Sequence, residues 1–274
     1  GQSSPDQSLF HIIPAPLEQS VSYGPGTAKG PLAIIQASQQ LELFDGYSNP
    51  SEFGIFTHNK TNCHQNVENV LVDIQKKVSE AFLTDKIPIV IGGEHTVSLG
   101  AFRAIAESDK NIGIIHFDAH GDLRDSYENN EFSHACVMKR AFDLNIPFIQ
   151  LGVRSLSPEE HDFRTTNNIL HYDAEKIMTK GLPDSFIPKD FPKEVYITFD
   201  VDVLDTSIMP ATGTPEPGGL LWYDAMKLLE HISAKRNIIG FDVVEFAPIE
   251  NFHACDFTVA RLVYNIMGFV QRRK

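Results

Sequence analysis

The residues of this chain best suited to chemistry are acids and histidines that end apolar runs. Ile112–Phe117 breaks into Asp118, His120 and Asp122, three metal-ligand types at alternate positions. Short apolar runs rich in β-branched residues read as buried strands. On an extended chain, side chains two residues apart point the same way. The triplet would therefore converge on one point where a strand ends. Residues 195–199 break in the same manner into Asp200 and Asp202, residues 87–91 into Gly92, Gly93, Glu94 and His95, and residues 238–244 into Glu245. Asp-x-Asp alone is common in loops, and a lone histidine after two glycines reads as a helix cap or core residue. The Asp118–Asp122 triplet, the Asp200–Asp202 pair and His95, each ending a separate strand, make an accidental arrangement improbable.

Carboxylates gathered in one place repel one another and raise one another's pKa values. Divalent cations resolve that conflict, and two of them can be bridged by shared carboxylates. An oxygen-rich, imidazole-poor set suits Mn²⁺ better than zinc, which favours thiolate and imidazole. Two bridged ions lower the pKa of a bound water and supply hydroxide near neutrality. The expected chemistry is hydrolysis at an electrophilic carbon or phosphorus, and the ligands alone do not choose between them. His116 is expected to be a buried structural histidine. His11, His58, His64, His161, His171, His231 and His253 have no ligand-spaced companions and are assigned to surface or core.

These groups need elements to position them. Strands are predicted at 10–14, 87–91, 112–117, 148–151, 169–172, 195–199 and 238–244. Helices are predicted up to residue 41 and at 65–83, 96–106, 135–142, 222–233 and 257–270. Residues 46–63 read as loop. The Gly/Pro-rich stretch 22–31 lacks the spacing of a phosphate-binding loop and reads as a turn-rich connection or a rim of the site. A second Gly/Pro loop spans 209–219. Alternating strands and helices without repeats predict one α/β domain over 1–274, with a mainly parallel sheet covered on both faces. Residues 1–7 are expected to be disordered or an appended tail. Sites in such folds form at the carboxyl ends of strands, where His95, Asp118, Asp200 and Glu245 fall. Arg272, Arg273 and Lys274 suit the negative end of the last helix dipole.

The composition narrows the partners. A formal charge of −13 over 274 residues argues against nucleic-acid backbones and anionic membranes. The proportions, 42% hydrophobic and 22% charged, are those of a globular protein. Cys63, Cys136 and Cys255 form neither a disulfide framework nor a Cys-x-x-Cys zinc site, which points to reduced thiols and a cytoplasmic location. No stretch reads as a signal peptide or a membrane span.

At this point several blocks match a known family. Gly92-Gly93-Glu94-His95, Phe117-Asp118-Ala119-His120-Gly121-Asp122 and Phe199-Asp200-Val201-Asp202-Val203-Leu204-Asp205 resemble the signature blocks of the ureohydrolases, the family of arginases and agmatinases. Residues 213–220 and 242–248 look like agmatinase versions of two further blocks. The blocks occur in family order and span most of the chain. The resemblance implies an α/β/α sandwich, two Mn²⁺ ions per subunit, and homo-oligomers that are trimers or hexamers. Carried over by position, His95, Asp118, Asp122 and Asp200 would hold one ion, and Asp118, His120, Asp200 and Asp202 the other. His134 matches the family's proton-shuttling histidine, and Glu245 the carboxylate that pairs with the guanidinium. Thr214 would line the substrate pocket. A metal-bridging hydroxide would attack the guanidinium carbon, and Asp122 would pass the proton to the leaving amine. One departure is Gly121, where many members carry a larger residue.

The loop 123–132 looks like the agmatinase form rather than the Asn- and Ser-bearing arginase form. Its acids Asp125, Glu128 and Glu131 would suit a substrate with a cationic amine at its far end, while Arg124, Asn129 and Asn130 keep a carboxylated one open. Agmatine, giving putrescine and urea, is the expected substrate; guanidinobutyrate and arginine are the alternatives. A catalytically silent metal-binding member would not need His134 and Glu245, and a zinc deacetylase would need a tandem histidine that is missing.

Overall fold

A computed structural model of the chain describes residues 3–272. Arg273 and Lys274, assigned above to a helix dipole, lie outside the described residues. The strands are β1 (Phe10–Ala15), β2 (Ile55–Thr57), β3 (Ile87–Gly92), β4 (Ile112–Phe117), β5 (Phe148–Leu151), β6 (Leu170–Tyr172), β7 (Glu194–Asp200) and β8 (Asn237–Val244). They form one sheet in the order β2-β1-β3-β8-β7-β4-β5-β6, and every strand pairing is parallel. Connections between them carry α1 (Gly30–Ser38), α2 (Val67–Leu83), α3 (Ser98–Glu107), α4 (Val137–Asp143), α5 (Pro158–Thr166), α6 (Ala174–Lys180) and α7 (Trp222–Lys235), and α8 (His253–Gln271) closes the fold.

Unbroken apolar strands demand cover on both faces, because β1, β3 and β4 are buried at every position. Alternate side chains of β4 divide between two cores. Ile112 and Ile114 pack with Leu71 and Ile74 of α2, Phe102 of α3 and Met138 of α4. Ile115 and Phe117 join Leu229 of α7 and Val259 and Leu262 of α8. The result is a three-layer α/β/α sandwich. Each such fully buried side chain contributes about 1.5–3 kcal/mol.

Local signals explain the helix limits. Asn66 caps α2, its side chain accepting the Asn69 amide at 2.9 Å, and Val70, Leu71, Ile74, Val78 and Ala81 form its buried stripe. Ser157 and Glu160 form a reciprocal capping box at the start of α5.

Three differences from the sequence expectation stand out. β2 lies within residues 46–63, expected as loop; three half-buried residues paired only to β1 are too few to show a period. α3 and α4 start later than expected, each after a turn of 3₁₀ helix, and those turns carry His95 and His134. Gly1 and Gln2 of the segment expected to be disordered lie outside the described residues, while within residues 4–7 Gln7 N donates to Ser4 O at 3.2 Å and Lys86 Nζ reaches Asp6 O at 2.8 Å, so these residues pack beside the start of β3.

Candidate metal centre

Four neighbouring strands, β3, β8, β7 and β4, end side by side and deliver the expected residues to one place. His95 opens the turn after β3, and Asp118, His120 and Asp122 follow β4. Asp200 ends β7, Asp202 lies in the turn beyond it, and Glu245 follows β8. The turn after β3 needs its glycine: a Cβ on Gly93 would lie 2.0 Å from the carbonyl oxygen of Leu17. The alternation expected after β4 holds only in part. Asp122 has φ 52°, and Glu245 has φ 63°. Both are non-glycine residues in the left-handed region, a conformation that costs of order 1–3 kcal/mol where it is held.

His95 Nδ1 lies 3.1 Å from Asp118 Oδ2, 3.2 Å from Asp122 Oδ2 and 3.5 Å from Asp200 Oδ2. His120 Nδ1 lies 2.9 Å from Asp202 Oδ2 and 3.5 Å from Asp118 Oδ1. Asp118 thus belongs to two groups of close ligand atoms, one with His95 and Asp122 and one with His120 and Asp202. His116 also borders the first group, but both its nitrogens are engaged. Nε2 faces Asp118 Oδ2 at 2.9 Å, and Nδ1 lies 3.1 Å from Gln150 Nε2, which also donates to Gly121 O at 2.8 Å. The burial expected for His116 is observed.

The cluster fits divalent cations on two grounds. Burial first, then the carboxylates of Asp202, Asp118 and Glu245, push the Asp200 pKa well up; burial and then Asp118 raise that of Asp122. So many crowded, buried carboxylates are stable as anions only beside positive charge. The second ground is His95 Nδ1, buried and without a hydrogen-bond partner although three carboxylate oxygens surround it. A proton and a metal ion compete for that place. Burial opposes the imidazolium of His95, but Asp118 and Asp122 outweigh it and push the pKa well up. Burial likewise opposes the imidazolium of His120, yet Asp202 and Asp118 push its pKa up to about 12.

His95, His120, Asp122, Asp200, Asp202, Glu245, His134 and Thr214 line a single cleft with the 21–24 loop and Gly213. Asp118 lies fully buried beneath it. Glu245 Oε1 accepts the His95 amide at 2.6 Å, fixing the carboxylate at the cleft floor. Burial first, then the charge of Glu94, raises its pKa well above the usual range. His134 is held by a loop residue absent from the sequence reading. Ser20 Oγ accepts the His134 amide at 3.1 Å, lies 3.3 Å from its Nδ1, and donates to buried Glu94 Oε1 at 3.1 Å. Ser22, Tyr23 and Gly24, the start of the Gly/Pro-rich stretch, form a rim of the cleft.

The acidic loop does not do what its composition suggested. Asp125 pairs with Arg140 at 2.9 Å and Lys139 at 3.4 Å, and Glu131 pairs with Arg140 at 3.4 Å. Basic residues of α4 hold these acids away from the cleft, and Glu128 does not line it either. The outer cleft is bordered instead by Ser22, Arg124, Tyr127, Ser155, Leu156 and Ser157. Thr198, Asp242 and Gln150 also escaped the sequence reading. The signal was available, since each is a polar residue inside an otherwise apolar, buried strand.

The model of the arginase family matches residues 8–268. The N(1)-aminopropylagmatine ureohydrolase of Synechocystis sp. is 32% identical, over 96% of this chain and 90% of that protein. The agmatinase of Pyrococcus horikoshii is 30% identical, over 96% and 92%. The crystal structure of the agmatine ureohydrolase of Thermoplasma volcanium superposes with a TM-score of 0.90 at 29% identity, covering 99% of this chain and 92% of that one. A match that runs through every strand end described above leaves one assignment: this chain belongs to the arginase family, as an agmatinase-like ureohydrolase.

Proposed function

We propose that the chain hydrolyses agmatine to putrescine and urea with two Mn²⁺ ions. His95, Asp118, Asp122 and Asp200 would hold one, and Asp118, His120, Asp200 and Asp202 the other. The observation that carries this reading is Glu245, a buried carboxylate fixed at the cleft floor directly beside the ligand cluster. An anion there suits a planar guanidinium, which pairs with carboxylates through two parallel hydrogen bonds. When bound there, the ions would supply hydroxide at neutral pH and would stabilise developing negative charge. Glu245 orients the guanidinium so that its carbon faces the cluster. Asp122 accepts a proton on its carboxylate and gives it to the leaving amine. His134, at the mouth, passes protons between the cleft and solvent. Thr214 borders the substrate chain.

A second reading has a specific observation in its favour. The cleft continues past His134 between the hydroxyls of Ser22, Tyr127, Ser155 and Ser157, a polar path that suits a longer chain bearing an internal amine. N(1)-aminopropylagmatine, yielding urea and spermidine, would occupy it. Relatives of both names share about the same identity with this chain.

The test is urea release by Mn²⁺-incubated protein offered agmatine, N(1)-aminopropylagmatine, 4-guanidinobutyrate and arginine in parallel. Preferred turnover of agmatine is expected. Preference for the longer amine selects the second reading. Preference for either carboxylated compound rejects both and points to Arg124 as the tail contact.

A further inference from the structure

Asp242 has no part in the chemistry above, yet it is a fully buried carboxylate in the middle of β8. It stands in register with Thr198 of β7. Thr198 Oγ1 lies 2.7 Å from Asp242 Oδ1 and 2.8 Å from His95 Nε2. All three side chains are shut off from solvent, so no water competes for these contacts.

The directions follow from what each atom can do. A carboxylate only accepts, so the single hydroxyl proton of Thr198 goes to Asp242. The alternative acceptor, Ser98 Oγ, is farther away at 3.4 Å and uncharged. With its proton committed, Thr198 Oγ1 can only accept from His95, which places the ring hydrogen on Nε2. Nδ1 is then the nitrogen left facing the carboxylates of Asp118, Asp122 and Asp200, and it offers its lone pair to a cation that displaces its proton. That is the orphaned atom noted above.

We propose that Asp242 and Thr198 are positioning residues that lock His95, through one chain of hydrogen bonds, in the tautomer and ring orientation able to ligate a divalent metal ion through Nδ1. The chain ends on strands rather than loops, so the ring is held by the sheet itself. Among the described residues His120 has no counterpart: its side chain is 26% exposed, against 1% for His95, and no described side chain accepts from its other nitrogen.

The proposal rests on the metal-centre reading, and its test separates the two. Equilibrium dialysis against Mn²⁺ is performed on wild-type protein and on Thr198→Val, Thr198→Ser and Asp242→Asn, with circular dichroism to check folding. Wild type is expected to bind two ions. Thr198→Val keeps the shape and removes the hydroxyl, so one ion should bind about 10- to 100-fold more weakly, and the Mn²⁺ EPR spectrum should change from a coupled pair to a lone ion. Thr198→Ser should restore both. Two ions bound by Thr198→Val with wild-type affinity would overturn the proposal and leave the metal centre standing. No Mn²⁺ bound by wild type would overturn the metal centre as well. A measurement without variants guards against misfolding: long-range ¹H–¹⁵N NMR of histidine-labelled, Zn²⁺-loaded wild type should place the His95 proton on Nε2. Finding it on Nδ1 defeats the assignment.

Discussion

The two ligand groups that share Asp118 are held by different means. On the His95 side the support is side chain on side chain: Thr198 and Asp242 behind the imidazole, His116 and Gln150 behind Asp118. On the His120 side it is mostly backbone. Asp202 Oδ1 accepts the Ala119 amide at 3.0 Å, and Asp200 Oδ1 accepts the Asp202 amide at 2.8 Å. A side-chain grip there, Arg154, also works on the backbone, donating to the carbonyls of Asp202 at 2.7 Å and Glu216 at 2.8 Å. A backbone donor comes with the turn and survives almost any substitution. A side-chain relay can be cut at a distance. The His95 half should thus be sensitive to changes far from the ligands, and the His120 half chiefly to changes in the ligands themselves.

The largest effect should come from a residue that serves both halves. Asp200 faces His95 through Oδ2 and organises Asp202 through Oδ1. Asp200→Asn should release metal from both groups and reduce urea formation to background. Retention of one ion, counted by atomic absorption after desalting, would mean that the halves are more independent than their shared carboxylates suggest. Glu245→Gln provides the contrast, since it removes charge from neither ligand group. It should keep both ions and lose the guanidinium partner, a cost of about 2–5 kcal/mol, or roughly 30- to several-thousand-fold in kcat/KM. Metal loss in this variant would show that Glu245 supports the cluster rather than the substrate.

A smaller effect concerns pH. Both histidines have pKa values raised by their carboxylates, His120 to about 12, and a ligating imidazole must be neutral. Raised values keep the proton in place well above the usual histidine pKa of 6.5. Each ion that enters therefore displaces protons throughout the neutral range, and Mn²⁺ affinity should climb as pH rises from about 6.5 to 9. Calorimetry in buffers of different ionisation enthalpy counts the protons released. An affinity flat across that range would show that the imidazoles stand neutral before metal binds. Release of a single proton would show that only one of the two halves carries it.

How much of this was legible in the sequence depends on whether the cause was local. β4 and its triplet were readable because a buried parallel strand must be apolar throughout, so its end is marked by the first charged residue. The ligand strands β3 and β7 were readable for the same reason, and β8 in spite of Asp242 within it. Their adjacency was not, since it depends on β7 and β8 inserting between β3 and β4. Three-residue β2 left no period to detect. The acids of the 123–132 loop misled because their partners, Lys139 and Arg140, lie on a helix that the loop itself folds against. Composition shows that acids are present, while only tertiary structure shows what neutralises them. Asp242 and Thr198 stood in plain view as polar residues in apolar strands, but their purpose depends on the register between β7 and β8.

The smallest expected effect lies on the seam between the halves, at Gly121, flanked by His120 of one and Asp122 of the other. Its carbonyl accepts Gln150 Nε2 at 2.8 Å, which restrains the backbone. A Cβ there would sit 2.3 Å from Leu156 Cδ2, the free end of a flexible side chain, and 3.5 Å from Glu160 Oε1. Leu156 must turn aside, at a cost below the roughly 1–3 kcal/mol of overpacking a rigid core. It borders the outer cleft with Tyr127, Ser155 and Ser157, so its displacement narrows the path of a substrate tail and leaves the ligands alone. Gly121→Ala should bind two ions as wild type does and keep kcat for agmatine. Its KM for N(1)-aminopropylagmatine should rise several-fold more than its KM for agmatine. Equal changes in both KM values would remove Leu156 from the tail path. A lost ion would show instead that the seam is stiff enough to carry a one-methyl displacement into His120 or Asp122, and that the two halves move together.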